Sequence, residues 1–184
     1  GMNELQAERD LPRMFLDPDA TQMSCMKSVV HNVQQRSYAH HIERLMVLGN
    51  FSLIAGINPQ QLTNWMWENF IDAAEWVMVP NVIGMSQFAD GGIMASKPYS
   101  ATGAYIDRMS NYCKDCKYKP KESVGPNACP FTTLYWDFML RHQTTFVKNP
   151  RIAQQVRAAQ RLSDTDALQQ RAADVLQLLD TGRL

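Results

Sequence analysis

The stretch His40-His-Ile-Glu-Arg44-Leu-Met-Val-Leu-Gly-Asn50-Phe-Ser-Leu-Ile-Ala55-Gly56-Ile-Asn58-Pro59-Gln-Gln61 decides the fold class. Its apolar residues recur at helical spacing and do not alternate, which predicts a helix over about 40–55. Gly56 suits the position just past a helix end, because glycine enters the left-handed region without a steric penalty. Asn58, Pro59 and Gln61 then match the N-cap, first and third positions of a new helix.

Helical spacing continues on both sides, and clean alternating strands are missing. A helix is predicted over about 24–36. The helix opened by Asn58-Pro59 carries Trp65, Trp67, Phe70 and Ile71 and is read through to Glu75-Trp76, with Trp65, Trp67 and Trp76 assigned to the core. Residues 80–98 are rich in Gly and Pro and read as mostly loop, with a short helix near 83–88. Further helices are predicted over 103–111 and 131–140, from Asn149-Pro150 onward, and from Ser163 to Gly182 with Leu168, Val175, Leu176 and Leu179 on one stripe. The fold class is all-α, with a cysteine-rich metal loop over 113–130. Gly1, ahead of Met2, reads as the remnant of an expression tag, so the helical domain is taken as residues 2–184.

The 184 residues are 45% apolar and 20% charged, with a formal net charge of zero. That is the profile of a soluble globular protein with enough chain for a sizeable core. Zero net charge excludes bulk attraction to nucleic acid and leaves only local patches. No apolar run reaches the ~18 residues of a membrane span. The N-terminus is polar and has no signal-peptide pattern. These features place the chain in the cytoplasm, where thiols are reduced and metal ligation is favoured over disulfides.

All four cysteines fall into one ligand-like pattern: Cys25, then Cys113-Lys-Asp-Cys116, then Cys129-Pro130. Four thiolates meeting at one point build a tetrahedral zinc site or an iron–sulfur cluster, and the spacing leaves both open. The bland reading is free buried cysteines. Lys114, Lys117, Lys119 and Lys121 share the loop. They read as solvated charge, or as contacts to a nucleic-acid backbone.

His40 and Arg44 stand one turn apart on the decisive helix and share a face, while the adjacent His41 points about 100° away. Helix capping or solvation is the ordinary use of such a histidine pair. Asp72 is a natural partner for Arg44 in a bidentate ion pair.

These residues lie within longer runs that resemble one family. Ser37 through Phe51, Phe70-Ile71-Asp72, Glu75-Trp76-Val77, Pro80-Asn81, Ile83-Gly84-Met85, Ala89-Asp90-Gly91-Gly92, Ser96-Lys97-Pro98-Tyr99, Ala128-Cys129-Pro130-Phe131 and Leu134 through Phe138 are similar to the bacterial iron–sulfur photolyases and cryptochromes. The resemblance runs from about Met23 to the end of the chain.

It implies the C-terminal portion of the helical FAD-binding domain of a light-dependent DNA repair flavoprotein. Such a protein transfers an electron from reduced FAD to a pyrimidine photoproduct that has been flipped out of damaged DNA. Carried over by position, the resemblance makes Cys25, Cys113, Cys116 and Cys129 the ligands of a 4Fe-4S cluster. It makes His40, His41 and Tyr99 lesion-side residues, and one histidine a proton donor in (6-4) chemistry. Arg44, Asp72 and Asn81 fall beside the flavin ring, and Trp65 on the route of electron transfer to it.

The chain departs from the family pattern in three respects. The antenna domain and the first part of the FAD domain are absent from the sequence. No tryptophan or tyrosine stands near Asp17, where members carry an electron-transfer aromatic; the nearest aromatic is Phe15. Activity is therefore expected only with a chain that supplies the missing half. The alternative is a non-enzymatic iron–sulfur remnant that contacts DNA or a protein, or pairs with a second copy.

Overall fold

The computed structural model describes residues 2–184; Gly1, the tag remnant of the sequence reading, lies outside them. The architecture is all-α. Among the described residues, extended pairing is confined to two isolated bridges, Arg9 with Ile57 and Lys119 with Ala128.

Helix α1 spans Ser24–Arg36, as the spacing predicts, and buries Cys25, Met26, Val29, Val30 and Val33 on one stripe. Helix α2 begins as an α-turn, His41–Glu43, widens into a π-helix, Arg44–Gly49, and closes as an α-helix, Asn50–Ala55. Gly56 ends it at φ 74°. The carbonyls left over at that end are met from outside, Ile54 by Arg141 at 2.6 Å and Ala55 by Arg9 at 3.2 Å.

The wide turn of α2 packs closely against Ser86. A Cβ on Gly49 would stand 2.2 Å from Ser86 Oγ, so backbone and side chain meet there directly. Gln87 Nε2 donates to the Gly49 carbonyl at 3.0 Å. Asn50, fully buried, then pins the loop after Tyr99: its amide both donates to and accepts from the Ala101 backbone at 3.0 Å.

Helix α3 spans Pro59–Asn69 behind the expected Asn58 cap, whose Oδ1 accepts from Gln60 and Gln61. The reciprocal bond expected of Gln61 is not made. Its side chain instead accepts from Leu11 and donates to Asp10, tying down the N-terminal segment. The helix also stops before Trp76. Phe70 turns extended (φ −99°, ψ 130°), which sends its ring under Arg44. Helix α4 then runs as Glu75–Val79 and continues as a π-helix, Pro80–Ser86. This corrects the loop reading only over 80–86, since a proline at the head of a wide turn does not end the helix although it removes a donor; residues 87–98 are irregular, as expected.

Trp67 and Trp76 are also corrections, since they are 50% and 81% exposed while Trp65 is buried. On a 3.6-residue period, Leu62, Trp65 and Met66 share the inner face of α3, and Trp67 stands on the other side.

Helix α5 spans Gly103–Met109, stopping short of Asn111. Helix α6, Pro130–Arg141, is apolar around most of its circumference and packs against α2, α5, α7 (Ala153–Ala159) and α8 (Thr165–Asp180). Phe131, Leu134, Phe138 and Met139 are each almost fully buried. Such side chains contribute roughly 1.5–3 kcal/mol apiece. Asn149 caps only a turn, through Arg151, and α7 starts later than expected at Ala153. Helix α8 is capped by Asp164 and buries Leu168, Val175 and Leu179, with Leu176 at the margin.

Candidate functional site

The two π-helical turns face each other and open a cleft of about 150 Å³, lined by His41, Arg44, Met66, Val77, Asn81 and Met85 among others. π-Turns of this kind are frequent at functional sites. Arg44 is held from several sides. Its Nη1 and Nη2 donate to the two carboxylate oxygens of Asp72 at 2.9 Å each, and its Nε donates to the Ala39 carbonyl at 2.8 Å. Its guanidinium also lies 4.2 Å from the Phe70 ring centre and 5.0 Å from that of Tyr38. The bonds from Arg44 hold the Asp72 carboxyl below its ordinary range. Asn81 donates to the Val77 carbonyl at 2.8 Å, and no donor among the described residues meets its Oδ1.

The structure sends the adjacent histidines to different places. His41 lines the π-helical cleft, whereas His40 lines a second cleft of about 370 Å³ with Glu43, Met46, Tyr105, Met109 and Tyr112. Tyr99 lines neither cleft and is 38% exposed on the loop before Ala101. Trp65 lies beneath the Arg44 region. Its Nε1–H donates to the Phe15 carbonyl at 3.1 Å, and its ring meets Phe15 and Phe70 edge-on at 5.0 and 6.1 Å. Phe15, Trp65, Phe70 and Arg44 therefore form one continuous contact path.

All four cysteines line one small cavity, walled by Met23, Gly103, Ile106, Tyr112, Tyr118 and Phe131. No group of three or more His, Cys, Asp or Glu among the described residues is gathered tightly enough for a single metal ion. The donor set is purely sulfur. Burial, then the other three cysteines, raises the Cys25 thiol well above its ordinary value. Burial also pushes Cys129 up to about 12 and Cys113 to about 11, the latter helped by Asp107 and Cys116. These shifts favour the neutral thiols, because thiolates gathered here would be poorly solvated and would repel one another.

The loop that brings Cys113, Cys116 and Cys129 together is fastened to α6 by two buried threonines. Thr132 Oγ1 accepts from the Gly103 N–H at 2.9 Å and donates to the Pro120 carbonyl at 2.7 Å. Thr133 donates to the Ser123 carbonyl at 2.8 Å. A Cβ on Gly103 would fall 2.7 Å from Cys129 Sγ. The sequence assigns no role to these residues or to Glu43 and Tyr112, although Glu43 lies in the Ser37–Phe51 run and Gly103 at a predicted helix start. Lys114, Lys117, Lys119 and Lys121 are all exposed, and Lys117 donates to Gln22 at 2.6 Å.

No helix among the described residues is long and apolar enough to cross a membrane. No protein-family model matches the chain. It is 48% identical over 180 residues to a (6-4) photolyase of Agrobacterium fabrum (strain C58 / ATCC 33970), a match covering 97% of this chain and 35% of that protein. It is also 35% identical over 101 residues to an uncharacterized protein of Acanthamoeba polyphaga mimivirus, covering 55% of this chain and 75% of that one. The chain thus spans about a third of the photolyase it matches. Near-complete coverage at this identity, on an all-α fold, places the chain in the photolyase-related family.

Proposed function

We propose that this chain is the cofactor- and lesion-contacting part of a light-dependent DNA repair flavoprotein of the iron–sulfur type, acting on a (6-4) pyrimidine photoproduct in damaged DNA. The observation that carries the reading is the π-helical cleft, where Arg44, fixed by Asp72, stands with Asn81 and His41 over an apolar floor. A flat ring fits such a cleft edge-first, and Asn81 has an uncommitted acceptor for a ring N–H. The cleft is smaller than the roughly 300–1,000 Å³ of a whole cofactor site, so most of FAD would rest on surfaces from outside this chain.

Reduced FAD, when bound, supplies the electron that light delivers to the lesion. In this reading Arg44 and Asp72 orient the ring, His40, His41 and Tyr99 meet the lesion, and one imidazole moves a proton. Trp65, buried between Phe15 and Phe70, carries an electron toward the cleft. In this reading Cys25, Cys113, Cys116 and Cys129, which line one cavity, would hold a 4Fe-4S cluster.

The test is blue-light repair of an oligonucleotide carrying a (6-4) photoproduct, against one carrying a cyclobutane dimer. The chain is combined with the remaining part of the Agrobacterium fabrum (6-4) photolyase, FAD and a reductant. Light-dependent restoration of the first substrate is expected. Failure of the combination to retain flavin, or to repair either lesion, overturns the reading.

A second reading is favoured by the exposure of Ile71, Trp76 and Ile93, each more than 80% accessible. It takes the chain as an iron–sulfur module that docks on DNA, a protein or a second copy through these exposed apolar side chains. It expects bound iron and no repair with any complement.

A further inference from the structure

His40 sits in a hydrogen-bonded frame that fixes its ring. Its Nδ1 accepts from the Ile42 N–H at 3.2 Å, and its own backbone N–H donates to Glu43 Oε2 at 3.1 Å. The other carboxylate oxygen of Glu43 accepts from the Tyr112 hydroxyl. Tyr112 and Ile106 form a common wall between the His40 cleft and the cysteine cavity, and Cys113 follows Tyr112 directly.

We infer that Glu43 and Tyr112 are positioning residues for His40, holding it as the tautomer that carries its proton on Nε2. An imidazole nitrogen that accepts a backbone N–H has its lone pair committed and carries no proton. The remaining nitrogen, Nε2, is then the ring's donor, and His40 is exposed beside an open cleft. Glu43 holds the backbone of His40 in its capping geometry. Tyr112 holds Glu43, because a carboxylate bonded at both oxygens cannot swing away from the helix start. The frame spans separate elements, so it fixes His40 against the cysteine loop and not merely within its own turn. The assignment of His40 as a lesion-side donor rests on the reading proposed above; the tautomer and its support do not.

The experiment is long-range proton–nitrogen NMR of the imidazoles in the 184-residue chain. It is run at about pH 8, above the ordinary imidazole range, on the wild type, Tyr112→Phe and Glu43→Ala. His40→Gln assigns the signal. The wild type is expected to show His40 in the Nε2–H form. Both variants are expected to lose that pattern toward a tautomer mixture, with His31, His41 and His142 unmoved as folding controls. A tautomer mixture in the wild type, or a His40 pattern indifferent to both variants, overturns the inference. A fixed His40 whose replacement leaves repair intact would instead sink the lesion-side reading and leave the positioning frame standing.

Discussion

Gly103 and Cys129 approach so closely that a methyl group on Gly103 would lie 2.7 Å from the cysteine sulfur. The same methyl would meet the Pro120 carbonyl at 3.0 Å and Thr132 Oγ1 at 3.2 Å, so it is crowded from three sides. Gly103→Ala is expected to push Cys129 out of the cysteine cavity. Overpacking of this kind costs about 1–3 kcal/mol. Metal content per chain should fall and the melting temperature should drop, read by iron assay and thermal denaturation. Full metal retention would show that the cavity tolerates the shift.

The Arg44–Asp72 pair gives a pH signature. Asp72 has its carboxyl lowered in the folded state by the bonds from Arg44. A carboxyl with a folded value below its unfolded one stabilises the fold above the unfolded value, and that stability is lost as pH falls through the folded one. The wild type is therefore expected to be more stable than Asp72→Asn at neutral pH. The gap should close on acidification through the carboxylate range, measured by denaturant titration. Asp72 is half exposed, so the gap is modest.

His142 predicts loss of stability in mild acid by a different route. Burial, with Arg141 alongside, lowers its imidazole to about 4, and its ring lies 4.9 Å from Phe138 and 5.4 Å from Phe146. The unfolded chain takes up a proton near 6.5 that the folded chain refuses until about 4. Stability is full above the unfolded value and falls across that window. His142→Leu should flatten this part of the melting-temperature profile. An unchanged acid slope would locate the sensitivity elsewhere.

Trp65→Phe removes the Nε1–H bond to the Phe15 carbonyl and leaves a buried acceptor. A cost of about 1–3 kcal/mol is expected. If Trp65 carries electrons, photoreduction of flavin in the complemented protein should also slow, while flavin retention stays the same. Equal photoreduction rates would remove Trp65 from the electron route and keep it as a core residue.

The elements that could be read from sequence are those fixed by local chemistry. Gly56, the Asn58-Pro59 cap and the apolar stripe of α1 act over a few residues, and the structure keeps each of them. The π-turns were not legible, since local spacing does not distinguish them from α-turns, and the close approach of Gly49 to Ser86 joins separate helices. Trp76 was misplaced because aromatic character says nothing about which side of a short helix meets the core. The four cysteines were legible as a group by residue type and spacing. Glu43 and Tyr112 were not legible as partners, since they lie 69 positions apart and no spacing rule links them.

The cysteine cavity is tested most simply by an anaerobic absorption spectrum of the purified chain, with iron, sulfide and zinc assayed on the same sample. In the proposed reading, one cavity gathers Cys25, Cys113, Cys116 and Cys129 around a four-iron cluster in a photolyase-related fold. A broad cluster band and about four irons with matching sulfide per chain are expected. Loss of both is expected on Cys116→Ser. One zinc per chain, or no metal after reconstitution with iron and sulfide, would contradict the reading.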